Sequence, residues 1–336
     1  MPSKIRAYAA LTPGAPLVPF EYDPGPLSPD QVEVEIIACG ICHSDLHMLS
    51  NDWGSTKWPF VPGHEGVGRI VAVGERVQGR QVGQIVGIGW YLGTCGHCAS
   101  CVAGDQHLCR NSRQTIVGNH GCYADRIRLD PLWALPIPDA LDPLTVGPML
   151  CGGITVFSPF VHRNVSPTAR VGVVGIGGLG HLAVMFANKW GCEVVAFSGT
   201  AGKEEAITRM GAHEVVNSRD PKAIRKQAGR IDFLLVTANV ALDWDSYLRT
   251  LAPHGQMHVV GAIAEPIPVP TGRLMSGQKS LSSSPTGSPT TMAQMLDFAA
   301  RHRIAAITET FPMARVNEAL KHLAEGKARY RVVLTA

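Results

Sequence analysis

Four cysteines, Cys95, Cys98, Cys101 and Cys109, crowd one short stretch in the pattern C-x2-C-x2-C-x7-C. Two-residue gaps let successive thiolates converge on one ion without straining the backbone, and Gly96 and Gly104 supply the turns. Four thiolates close a tetrahedral shell around Zn2+ and leave no position for substrate, so this loop reads as structural. Similar short spacings also hold iron–sulfur clusters. No other redox-cluster signal accompanies the loop, and zinc is the reading adopted.

Chemistry then has to lie elsewhere. Cys42 sits in "CGICHSDLH", His64 and Glu65 follow in "PGHEG", and Cys151 comes much later in "MLCGGIT". Alone, Cys42 reads equally well as a core thiol. One imidazole and two thiolates together make a three-ligand zinc site whose fourth position stays open to water or a carbonyl oxygen. Ser44 and Asp45, just after Cys42, also suit a helix N-cap.

A third motif is "VVGIGGLG", with Gly175, Gly177 and Gly180 in the G-x-G-x-x-G pattern and Gly178 and Leu179 between them. It follows a strand-like run and opens a helix-like one, as a dinucleotide site requires. The first glycine permits a tight turn, the second lets backbone approach a pyrophosphate, and the third allows close helix–strand packing. The helix N-terminus supplies free N–H groups to the anion. An NAD site usually places Asp or Glu about 20 residues further on. Here the window holds Ser198, Gly199 and Thr200, with Lys203 beyond. No carboxylate repels a 2′-phosphate, the hydroxyls can donate to it, and Lys203 adds a charge-assisted contact near a helix start. NADP(H) is the expected cofactor.

The elements that must position these groups fall into two grammars. The first 150 residues are rich in Gly and Pro, with short strands such as "VEVEII" from Val32, "VGRIVAVG" from Val67 and "VGQIVGIGW" from Val82. They predict a mostly β, barrel-like domain. From about Arg170 strands and helices alternate: "RVGVVG", a helix "LGHLAVMFANKWG" closed by Gly191, "CEVVAFS", a helix "AGKEEAITRMG", "EVVNS", a helix "PKAIRKQAG", "IDFLLVTA" and "GQMHVVG". That alternation predicts an α/β, doubly wound parallel sheet. Residues 266–291, rich in Ser, Pro and Gly, read as a flexible connector or as a loop closing over a ligand. Two helices, "TTMAQMLDFAARHRI" and "RVNEALKHLAEGK", and a strand "YRVVLTA" follow. The expected domains are 1–149 with 287–336, carrying the metals, and 150–286, carrying the cofactor.

The chain has 336 residues, 45% hydrophobic and 17% charged, which suits a globular protein. A formal charge of +3 without a basic block suggests neither nucleic acid nor an acidic membrane as partner. The N-terminus has no apolar stretch resembling a signal peptide. The longest apolar region, residues 171–187, is broken by glycines and His181 and is too short for a bilayer. A cytoplasmic protein is expected. Nine cysteines in such a chain argue for metal ligation or reduced thiols rather than disulfides. Cys39, Cys122 and Cys192 lie among apolar or small neighbours and read as buried thiols. Trp53, Trp58 and Trp90 read either as core packing or as walls of a wide, apolar cleft in which a charged substrate would lack a partner.

The ordered set "CGICHSDLH", "PGHEGVG", the four-cysteine loop, "LCGGIT" and "GIGGLGH" resembles the zinc-containing medium-chain dehydrogenases. The likeness is greatest to the cinnamyl alcohol dehydrogenase branch and its bacterial broad-range NADPH-dependent aldehyde reductases, and it spans essentially the whole chain. It implies a GroES-like catalytic domain beside a Rossmann domain, two zinc ions per chain and a homodimer, with a small aldehyde or alcohol as substrate. Cys42, His64 and Cys151 would hold catalytic zinc, with Glu65 able to approach it when the open position changes hands. Asp45 would fix the tautomer of His64. Ser44 would hydrogen-bond the reacting oxygen, with protons passing through the cofactor ribose to His47 and water. His43, Thr155 and Arg329 would also contact the cofactor. The sequence departs from the family at Ser283 and Pro285, in "LSSSPTGS". A polyol dehydrogenase of the same superfamily would favour an acid where Ser198 stands, and a non-catalytic relative would be expected to lose ligands or relay residues.

Overall fold

Alternating apolar side chains make Val32–Ile41 the axis of the first unit: Val32, Val34, Ile36, Ala38 and Ile41 are buried. In this computed structural model, which describes residues 4–336, the strand pairs with Gly66–Val73 along one edge and, along the other, with Arg126–Leu129 through residues 32–35 and Arg331–Thr335 through residues 38–41, all antiparallel. Ile85–Ile88 and Leu135–Pro136 extend the sheet beyond Gly66–Val73, and Thr308–Pro312 extends it beyond Arg331–Thr335, giving seven strands. Register shifts within the Val32–Ile41 pairing mark bulges, which bend a sheet towards closure. Ile5, Ile70, Ile88, Tyr123, Trp133, Val332 and Leu334 fill the core. Contacts group Met1–Ile154 with Thr286–Ala336 in this unit, so Cys151 belongs to it, and Thr155–Pro285 form the second.

The second unit is a six-stranded parallel sheet. Its order is Glu214–Asn217, Glu193–Ser198, Arg170–Val174, Ile231–Val236, Leu251–Val259, Ser280–Ser283. The inner strands are near-continuous apolar runs, as sheets covered on both faces require. The helix Gly180–Trp190 returns the chain from Arg170–Val174 to Glu193–Ser198 and ends at Gly191 with φ of 109°. The alternating βα reading corresponds to the observed order except for one unread helix, Trp244–Thr250, between Ile231–Val236 and Leu251–Val259.

The connector expected at 266–291 is corrected. It contains a short helix, Thr271–Met275, and the sheet's edge strand, Ser280–Ser283, parallel to Leu251–Val259. Serines hid it. An edge strand needs only backbone partners on one side, and here the serine hydroxyls find partners in the sheet: Ser283 Oγ donates to the Val259 carbonyl at 2.7 Å.

His258 anchors that edge. Its Nδ1 lies 2.8 Å from Ser282 Oγ and its Nε2 2.9 Å from Ser284 Oγ, and the residue is fully buried. Burial, with a smaller contribution from Arg163, holds its pKa down to about 4, from an ordinary 6.5. Between those values the unfolded chain binds a proton that the native imidazole does not, so stability falls as pH drops through this window. His258→Asn is expected to lose less stability than the parent between pH 6.5 and 4.5. Denaturant melts at the two pH values would check this, and an identical acid loss in both proteins would refute it.

Candidate active site

The helix His43–Ser50 brings the predicted residues together. Cys42 is its N-cap, and the carboxylate of Asp45 at the third helical position accepts three bonds. Asp45 Oδ2 takes the Cys42 amide at 2.9 Å, while Oδ1 takes the Gly63 amide at 2.9 Å and faces His64 Nδ1 at 3.1 Å. Asp45 is thus a capping residue as well as the partner of His64, whereas Ser44 is not the cap. With its Nδ1 proton directed at Asp45, His64 presents the Nε2 lone pair to the pocket, 3.2 Å from Cys151 Sγ. Cys42 Sγ lies 3.9 Å from Cys151 Sγ, and ligand atoms of Cys42, His64, Glu65 and Cys151 all fall within 4.8 Å of one another.

All four residues are buried. A hydrogen bond from Cys151 and the proximity of His64 hold the Cys42 thiol well below its ordinary range, against the effect of burial. The same hydrogen bond, together with burial, pushes Cys151 well above it. Two thiols therefore contend for one proton in a dry pocket, a set of soft donors that a divalent cation fits. Burial pushes Glu65 up to about 7, although Arg331 opposes this. Glu65 Oε1 pairs with Arg331, whose Nη2 also donates to the Ile41 carbonyl at 3.3 Å, and Glu65 Oε2 is buried without a partner. A Cβ on Gly40 would overlap that oxygen, so glycine is needed there. Sequence reasoning missed Arg331; its one signal was a cation opening the apolar run "YRVVLTA".

Ser44 is half-buried, with Oγ 3.7 Å from Cys42 Sγ. His47 lies three residues further on, on the same helical face. Its Nδ1 is 2.7 Å from Asp52 Oδ2, and its ring stacks on Trp53 at 5.4 Å. Trp90 meets Trp53 at 6.2 Å and sits edge-on to the His64 ring at 4.9 Å, so Trp90 borders the donor set and Trp53 packs behind it. Trp58 does not: it packs on Phe60 and lines a separate hollow with Tyr22 and His120.

The four-cysteine loop forms its own cluster. Cys95, Cys98, Cys101 and Cys109 have ligand atoms within 4.8 Å, with Cys95 Sγ 3.9 Å from Cys101 Sγ and 3.5 Å from Cys109 Sγ. Zn–S bonds of about 2.3 Å make tetrahedral edges of roughly 3.8 Å, so the spacing suits zinc. Gly96 and Gly104 turn with φ of 75° and 87°. Cys39, Cys122 and Cys192 are buried, as read.

In the second unit, Gly175 turns with φ of 89°, a Cβ on Gly177 would meet nothing within 4 Å, and one on Gly180 would overlap the Gly175 carbonyl. These are the three requirements of a pyrophosphate turn. Thr237 Oγ1, unanticipated, braces the turn by donating to the Gly175 carbonyl at 2.6 Å. Gly178 and Leu179 lie in the turn; Ser198 ends its strand, Thr200 is exposed just beyond, and Lys203 caps the next helix. Thr155 is on the helix Gly152–His162. In the first unit, His43 is exposed at the start of its helix, and Arg329 is exposed, its amide donating to Glu309 Oε1 at 2.5 Å.

A bulged, mostly antiparallel sheet with buried Cys, His and Cys donors, together with a parallel sheet bearing a Gly-rich turn, is the architecture of a two-domain dehydrogenase. The chain matches the family models for the alcohol dehydrogenase GroES-like domain over residues 28–139 and for zinc-binding dehydrogenase over 178–301. It is 49% identical over 331 residues to aldehyde reductase AdhA of Synechocystis sp., spanning 98% of each chain. A cinnamyl alcohol dehydrogenase from Sorghum bicolor superposes with a TM-score of 0.95 at 32% identity, over 99% of this chain and 98% of that one. CAD from Helicobacter pylori, complexed with NADP(H), gives 0.92 at 27% identity, over 100% and 99%. The chain belongs to the zinc-containing medium-chain alcohol dehydrogenase family, on its cinnamyl alcohol dehydrogenase branch. Among the described residues no single helix is long and apolar enough to cross a membrane.

Asp45→Asn keeps the size but turns one acceptor into a donor facing buried N–H groups. It is expected to cost about 1–3 kcal/mol of stability and to weaken metal binding at the Cys42 pocket by about 10–100-fold. Denaturation and chelator competition measure the two effects. Unchanged values in both would sink the positioning role.

Proposed function

We propose that the protein interconverts aldehydes and primary alcohols, using NADPH as reductant and zinc held by Cys42, His64 and Cys151. The observation that carries this is the dry Cys–His–Cys pocket bordered by a serine hydroxyl on the Cys42 helix. The cofactor supplies hydride to the carbonyl carbon, and zinc supplies Lewis acidity at its oxygen. The residues of the chain provide the rest. Ser44 hydrogen-bonds the reacting oxygen and delivers the proton that completes the alcohol. Asp52 holds the His47 ring by Nδ1, leaving Nε2 as the nitrogen that exchanges protons. Trp53 and Trp90 present aromatic surface, which favours aromatic and medium aliphatic aldehydes over sugars or acidic aldehydes. The NADPH preference is supported by Ser198, Thr200 and Lys203, where an NAD site would hold an acid. His43, Thr155 and Arg329 complete the proposed cofactor contacts, and Glu65 serves as the reserve ligand. The family likeness further supports a homodimer acting in the cytoplasm.

NADPH consumption with a benzaldehyde-type substrate tests the proposal directly. Turnover should fall by at least about 100-fold in Ser44→Ala, the lower end for proton transfer by a positioned group. Near-normal turnover in that variant would refute the proton route, and no turnover in the parent with any aldehyde would refute the function.

The metal reading is tested separately. Elemental analysis should find two zinc ions per chain. Cys98→Ser should lose one ion along with stability, because metal binding and loop folding are coupled. Cys42→Ser should lose the other ion and activity while still melting cooperatively. One zinc in the active parent would overturn the two-site assignment.

A further inference from the structure

The residues so far credited with cofactor choice all follow one strand. The fold adds a contributor from the next. Glu193–Ser198 and Glu214–Asn217 run parallel with Ser198 opposite Asn217, and the Ser218 amide donates to the Ser198 carbonyl at 3.1 Å. The residues just past both strand ends are thereby held side by side. A Cβ built on Gly199 would lie 3.0 Å from Ser218 Oγ and 3.2 Å from Arg219 Nε. The guanidinium group therefore lies against Gly199, in the middle of the window where an NAD site carries its carboxylate.

Arg219 is exposed and its backbone is fixed, since its amide donates to Asn217 Oδ1 at 2.9 Å. Among the described residues no carboxylate lies within ion-pairing distance of it; the neighbouring Asp220 is occupied by the Lys222 amide at 2.8 Å. With no Cβ, Gly199 lets Ser218 and Arg219 pack this closely against it. An unengaged, planar fork of donors beside two hydroxyls is suited to a phosphate monoester.

We propose that Arg219 is a specificity-determining residue of the cofactor site, its guanidinium pairing with the 2′-phosphate that distinguishes NADPH from NADH. This rests on the NADPH reading above and deepens it. Arg219 would supply a planar, bidentate partner from just past one strand, while Ser198 and Thr200 would supply hydroxyls from the end of the other. The alternative is that Lys203 alone answers the phosphate; its position ahead of Glu204 and Glu205 makes its surroundings less favourable to an anion.

The test is direct binding of NADPH, NADH, 2′,5′-ADP and 5′-AMP to the zinc-loaded protein by calorimetry, without turnover. Arg219→Ala should weaken NADPH and 2′,5′-ADP by about 10-fold or more, the scale of a charge-assisted bond, and leave NADH and 5′-AMP within about 2-fold. The NADPH loss should shrink at high salt. Arg219→Lys, which keeps the charge but not the fork, should recover part of it. Ser198→Asp serves as the control for the reading beneath. If it lowers the NADPH:NADH preference while Arg219→Ala does not, the proposal for Arg219 fails and the NADPH reading stands. Equal weakening of all four ligands by Arg219→Ala would also overturn the proposal. A parent protein that binds NADH as tightly as NADPH would overturn both.

Discussion

The buried carboxylate of Asp45 is the point from which the metal pocket is built. One oxygen holds the Cys42 amide at the head of a helix, and the other holds the Gly63 amide and the His64 ring. Two segments 18 or 19 residues apart are thereby fixed to one group that has no access to water. In such surroundings an unpaired carboxylate is costly, so any change that loosens one partner strains the others. The rotamer of His64 and the approach of Cys42 are consequences of the same anchor. Pre-organisation of this kind is what lets a metal pocket keep its shape through turnover.

The two thiol clusters illustrate how burial divides labour. Cys42 and Cys151 are buried together with a histidine and a glutamate, and Glu65 retains an oxygen without a partner. In such surroundings charges act on one another more strongly than they would in water. The four-cysteine loop sits nearer solvent, with Cys95 and Cys98 half-exposed, and closes a full shell of identical donors. Four such donors would fill the shell of one ion and leave no position for substrate.

The Glu65–Arg331 pair adds a second theme. Burial works against the Arg331 charge, but Glu65 and Cys42 outweigh it and hold the guanidinium protonated. A permanent cation beside two thiols and a carboxylate offsets their mutual repulsion. The pair also joins the last strand of the chain to the segment that carries His64. In the other unit His258 does comparable work without charge, tying an edge strand of serines to its neighbour through both ring nitrogens.

Sequence by itself determined the chemistry-bearing residues and the order of most elements. Short spacings, C-x2-C and G-x-G-x-x-G, are local constraints, and local geometry is what a linear pattern encodes. The apolar runs of Arg170–Val174 and Ile231–Val236 likewise announce covered strands. The edge strand Ser280–Ser283 was not legible, because its stability comes from a neighbour's backbone and from His258 rather than from its own side chains. Arg331 was missed for the same kind of reason: its meaning depends on Glu65, 266 residues away. Trp58 and Trp90 looked alike in sequence, yet packing sent one to Phe60 and the other to His64. Partners distant in the chain are chosen by strand register and packing, and only the folded structure contains those.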